Sequence, residues 1–95
     1  MEIIKTENGT EVTMKLVGWL DTKAAPDLKD EVDKLKEGDS LILDLAELEY
    51  VASFGLRQFV ATYKKLNGKM MLRNVPDNIM GILKTMGMDK RIPIE

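Results

Sequence analysis

Ninety-five residues, 44% hydrophobic and 32% charged, with a formal net charge of −2, suit one domain (1–95) with a modest core and offer no basic surface for nucleic acid. The absence of cysteine and histidine excludes disulfides, Cys/His zinc sites, cysteine nucleophiles and Ser–His pairs. No signal-peptide pattern follows Met1, no apolar run nears the roughly 20 residues of a membrane span, and a chain without staples stands on packing alone, which suits the cytoplasm.

Residues 1–20 read as a hairpin. Asn8-Gly9 is a two-residue turn signal, because both positions of a type I′ turn need positive φ. The second arm alternates, with Val12, Met14 and Leu16 on one side and Glu11, Thr13 and Lys15 on the other. Gly18 breaks that alternation just before Trp19. Residues 24–37 carry one apolar stripe, Ala25, Leu28, Val32 and Leu35. Pro26 is tolerated only in a first turn, so this helix starts near Ala24 or Ala25, with Asp21 or Thr22 as its cap and Gly38 beyond its end.

Residues 41–45 are nearly continuous apolar, interrupted by Asp44, as in a central strand covered on both faces. Residues 54–66 return to helical spacing through Leu56, Phe59, Val60, Tyr63 and Leu66, and Asn67-Gly68 ends that helix. A short strand is expected over 69–75. Pro76 then opens a third helix with Ile79, Ile82, Leu83 and Met86 on its apolar side. Residues 91–94 read as a last strand that Pro93 confines to a sheet edge. The order β-β-α-β-α-β-α-β predicts an α/β domain: a mixed sheet with parallel central strands, an N-terminal hairpin and about three helices. Whether the helices cover one face or both is left open by the pattern.

In such sheets the sites gather in loops after the carboxyl ends of strands. Two loops qualify, residues 18–22 and 51–55. Ser53 in the second has two compatible readings. As an N-cap its hydroxyl accepts a backbone N–H, and Ser53→Ala then costs about 1 kcal/mol. As a phosphorylation site it holds a phosphate at a helix start, where free N–H groups and the helix dipole favour an anion. Asp21 and Thr22 share the cap-or-contact ambiguity. Phe54 lies off the apolar stripe, either as a contact anchor or tucked against the sheet edge. The seven methionines read chiefly as core filler. No Gly-rich phosphate loop, metal-ligand cluster or cofactor motif is present, and Ser53 has no histidine to activate it, so no enzyme is expected.

In motif order the chain resembles the STAS family, the anti-sigma factor antagonists and their relatives, over nearly its whole length. The matching pieces are Gly18-Trp19-Leu20-Asp21, Pro26-Asp27-Leu28, Leu43-Asp44-Leu45, the segment Ala52-Ser53-Phe54-Gly55-Leu56 facing the family's Asp-Ser-Ser/Thr-Gly-Leu signature, and the tail Leu72-Arg73-Asn74-Val75 with Thr85-Met86-Gly87-Met88. The resemblance implies that Ser53 is the phosphoacceptor. It implies that the unphosphorylated protein binds an anti-sigma factor of the serine kinase type, and that Asp21, Thr22, Ala52, Phe54 and Gly55 belong to the partner surface. Gly55 either admits the partner's backbone or relieves crowding at the helix start. The chain departs from the signature at Ala52, where the family has Asp, and at Phe54, where it has a hydroxyl. Those departures support a second reading: a non-switching adaptor subunit of a larger complex, such as a lipid-transport ATPase or a stress-signalling assembly.

Overall fold

The computed structural model describes all 95 residues, Met1–Glu95. Strands β1 (Glu2–Asn8) and β2 (Glu11–Leu20) form the expected antiparallel hairpin. The turn sits one residue later than the sequence signal. Asn8 stays in the ladder opposite Glu11, and the loop is Gly9-Thr10 with positive φ at Gly9 alone, the type II′ pattern. This register preserves the alternation that buries Val12, Met14, Leu16 and Leu20.

β2 pairs in parallel with β3 (Ser40–Val51), and β3 in parallel with β4 (Met70–Arg73), giving a four-stranded mixed sheet in the order β1-β2-β3-β4. β3 runs well past Leu45, where its apolar run had suggested an end. The reason lies in its ladder with β2. Between the pairs Lys15↔Asp44 and Leu20↔Val51, β2 takes five steps (15 to 20) and β3 takes seven (44 to 51). Each of the two register shifts leaves one extra residue on β3, as in a β-bulge. The buried residues of β3 are therefore Leu41, Leu43 and Leu45 at intervals of two, then Leu48 and Val51 at intervals of three. Period-2 reading fails at the first bulge.

Three helices follow the strands: α1 (Ala25–Asp33), α2 (Ser53–Lys65) and α3 (Asp77–Thr85). α1 starts where Pro26 requires but ends at Asp33, short of the expected 37. Leu35 lies past that end and still packs on the core, so the apolar stripe outlasts the helix. α2 ends before Asn67 and Gly68, both at positive φ. The expected strand at 91–94 is only a single bridge, Leu72↔Ile94, beside a 3-10 turn at Met88–Lys90. Pro93 offers a carbonyl to the Leu72 N–H (2.9 Å) but has no N–H to continue a ladder.

All three helices pack on one face of the sheet. Leu28, Val32, Leu56, Phe59, Ile79 and Leu83 join Met14, Leu16, Leu43, Leu45 and Leu72 in one apolar cluster. Thr62, buried in α2, donates its hydroxyl to the Gln58 carbonyl at 2.7 Å, and no buried side-chain polar atom lacks a partner. The opposite sheet face carries Lys15, Val17, Trp19, Asp44, Tyr50 and Arg73 and has no helix over it.

Candidate functional site

The parallel strands β2 and β3 end side by side, and their last residues set the site. Leu20 pairs with Val51, and the Ala52 N–H donates to the Leu20 carbonyl at 2.9 Å. The loops that follow are thereby held together, one leading into α1 and the other directly into α2.

In the first loop Asp21 is the cap. Its Oδ1 accepts the Ala24 N–H at 2.9 Å, and its carbonyl accepts the Ala24 and Ala25 N–H groups. Thr22 makes no such bond and is exposed. In the second loop the cap position falls to Ala52, with φ −85° and ψ 168°, and no side chain caps the helix. Ser53 is already the first helical residue. The N-cap reading of Ser53 is therefore corrected: a cap residue needs non-helical backbone angles, and Ala52 takes them. The Ser53 hydroxyl makes no hydrogen bond within the chain and faces solvent. The N–H groups of the first turn of α2 have no intrahelical acceptor, and no side chain supplies one.

Phe54 is 52% exposed, which answers the choice left by its sequence: it stands out from the surface and does not tuck against the sheet. The Arg57 guanidinium lies over its ring, 5.4 Å from the centroid. Phe54 and Thr22 line one cleft between α1 and α2, together with Lys29 and Arg57. Gly55 points the other way. It is buried, and a Cβ there would stand 2.8 Å from Leu20 Cγ and from Val51 Cγ2. Of the two roles open to Gly55, the structure places it in close packing of α2 on the sheet.

On the far side of α2 from that cleft, Ser53 opens a shallow groove of about 500 Å³ that runs to the C-terminal segment. Leu56, Val60 and Met88 line its floor, and Arg57, Lys64 and Arg91 supply its charge. Sequence reading missed Arg57 and Arg91 because only the fold brings α2 and the tail together. It also missed Tyr50, whose ring pairs with that of Trp19 (centroids 5.3 Å apart) on the helix-free face of the sheet. That pair sits one residue before Leu20 and Val51, so aromatic surface lies next to both loops. The shifted titrations fall away from Ser53. Asp33 accepts hydrogen bonds from Lys29 and Lys65, which lower its carboxyl to about 2 and join α1 to α2. No three acidic side chains converge as a metal-binding group, and no helix is long and apolar enough to cross a membrane.

The arrangement thus offers one free hydroxyl at a helix start, flanked by exposed Phe54 and Thr22 and by unpaired cations. It is a surface for contact and modification. Comparison with known proteins fits this description. The STAS domain family model matches residues 2–95. The anti-sigma-B factor antagonist of Listeria monocytogenes is 30% identical over 97 residues, covering 97% of this chain and 85% of that protein. An anti-sigma factor antagonist from Mycobacterium paratuberculosis shares the fold with a TM-score of 0.87 at 22% identity, over 98% of this chain and 83% of that one. The Bacillus cell fate determinant SpoIIAA in its phosphorylated form shares it with a TM-score of 0.75 at 14% identity, over 99% of this chain and 91% of that one.

Proposed function

The chain belongs to the STAS domain family, and from that premise we propose that it is a cytoplasmic regulatory module of the anti-sigma factor antagonist type. It binds an anti-sigma factor that is a serine kinase and is released when Ser53 is phosphorylated. The observation that carries this reading is the Ser53 hydroxyl itself, exposed and unbonded at the first residue of α2. The relatives' names supply the partner class. A protein of the same fold has been solved in a phosphorylated form.

The chemistry follows from what the chain holds and lacks. With no histidine, the base that takes the Ser53 proton comes from the kinase. The serine oxygen attacks the γ-phosphorus of ATP, ADP leaves, and the loop gains about −1.5 to −2 charge. Free N–H groups at the start of α2 accept that charge without unfolding the helix. A partner packed over Thr22, Ser53 and Phe54 meets instead a hydrated dianion, and the contact is lost through desolvation and repulsion.

A second reading, the non-switching adaptor, draws on Phe54. Its exposed ring stands where the family carries a hydroxyl, and it suits an apolar contact that no phosphate interrupts.

The test is affinity capture from the native cell with tagged wild type and Ser53→Asp, followed by identification of what is retained. The switch reading expects a kinase-type anti-sigma factor held by wild type and lost by Ser53→Asp. Equal retention of one transport or scaffold protein by both overturns it in favour of the adaptor.

A further inference from the structure

The groove that opens at Ser53 is charged with one sign only. Arg57 and Lys64 reach it from α2 and Arg91 from the segment after the 3-10 turn, and no Asp or Glu lines it. The six ion pairs of the chain are all made by other residues. In a chain of net charge −2, three cations are thus gathered without a counter-charge, an arrangement that favours an anion between them. Ser53 lines the same groove. Arg57 follows it by one helical turn, at the i+4 spacing that makes two side chains neighbours. The contact between Arg57 and the Phe54 ring limits where the guanidinium goes. Lys64 lies about 16 Å further along the helix, outside the reach of a group on Ser53.

We propose that this groove receives Ser53's own phosphate, with Arg57 and Arg91 clasping it from α2 and from the C-terminal segment. The inference rests on the reading of Ser53 as the phosphoacceptor. The phosphoester forms as Oγ bonds to the γ-phosphorus of ATP, the bond from that phosphorus to the bridging oxygen breaks, ADP departs, and the hydroxyl proton passes to the kinase. Arginine suits the receiving role because its planar fork pairs with two phosphate oxygens at once. The clasp gives Phe54 a role at this position: it is the seat that holds Arg57 beside Ser53. It also gives the switch a second arm, because the phosphate cancels the positive charge of the groove as well as repelling what lay over it.

The experiment uses full-length protein with phosphoserine installed at position 53 during synthesis. The second ionisation of that phosphate is followed by phosphorus NMR. Its midpoint is ordinarily about pH 6, and neighbouring cations lower it by favouring the dianion. The helix start lowers it as well, so the differences between variants carry the result. Arg57→Gln and Arg91→Gln are each expected to raise the midpoint, and the double variant by about half a unit or more. Phe54→Leu, which keeps bulk without the ring, raises it by part of that amount. Lys84→Gln, which removes a cation outside the groove, leaves it in place. Circular dichroism confirms that each variant is folded. Unmoved midpoints in the arginine variants, or an equal shift in Lys84→Gln, overturn the clasp. Because no kinase is involved, the result is independent of the switch. A partner that ignores phosphorylation sinks the switch and leaves the midpoints standing, and unmoved midpoints sink the clasp alone.

Discussion

Two adjacent residues at the start of α2 place opposite demands on the chain. Ser53 makes no cap bond, so Ser53→Ala is expected to leave stability within about 0.5 kcal/mol of wild type in a urea titration; a loss of 1 kcal/mol or more would restore the hydroxyl as a structural group. Gly55 has no such latitude. An added methyl meets Leu20 and Val51 at 2.8 Å, and overpacking of this kind costs about 1–3 kcal/mol. Alanine recovers up to about 1 kcal/mol through its better helix propensity. Gly55→Ala is therefore expected to lower stability by about 1–2 kcal/mol, read as a lower urea midpoint. A midpoint at or above wild type would mean that α2 can lift from the sheet. Position 53 is free to change chemically because position 55 holds the helix in place.

At the scale of elements, α1 and α2 are joined on their outer sides through Asp33, which Lys29 and Lys65 hold ionised. The hydrogen bond from Lys29, then that from Lys65, lowers the Asp33 carboxyl to about 2, and Lys34 lowers that of Glu31. An unfolded carboxylate titrates near pH 4, so the unfolded chain binds these protons first as pH falls. The ion pairs then stabilise fully above about pH 4, and their contribution is lost as pH falls through about 2. Asp33→Asn is expected to show a slightly lower urea midpoint than wild type at about pH 5, with the gap narrowing by about pH 2. The gap is small because all these groups are exposed. A gap that is constant across this range would assign the loss to something other than charge.

Element boundaries show where the sequence was readable. β2 keeps period 2 from Val12 to Leu20, so its alternation could be read directly. β3 has two extra residues, so its second half reads as loop until the ladder is seen. The site followed the same division. Asp21, Thr22, Ser53 and Phe54 were legible because they lie in loops that follow strand ends, where local pattern is informative. That Ser53 is the first helical residue and not the cap depends on the backbone angles of Ala52, which composition does not encode. Arg57 and Arg91 read as ordinary solvated charges, and only the packing of the C-terminal segment beside α2 makes them neighbours of one groove.

For the whole molecule, the one-sided core separates residues that look alike in sequence. Phe59 is fully buried under the helix-covered face, whereas Trp19 is 56% exposed on the other. Phe59→Ala is expected to cost about 3–5 kcal/mol, through lost transfer energy and the cavity left behind. Trp19→Ala forfeits little beyond its pairing with Tyr50, about 1 kcal/mol. Urea midpoints that rank the two in the opposite order would require something to cover the helix-free face in solution.

The two extra residues of β3 also act as a length buffer. A strand rises about 3.3 Å per residue, so in a plain ladder two surplus residues would carry Val51 about 6–7 Å beyond Leu20. The bulges absorb that surplus, and Ala52 still reaches the Leu20 carbonyl. Deleting Ala46 or Glu49 would regularise the ladder and offset the two loops by about one residue's rise. It would also reverse the face of each side chain between the deletion and α2. The alignment of Ser53 with Thr22 is in this sense sensitive to insertions and deletions in β3, more than to substitutions at the bulges themselves.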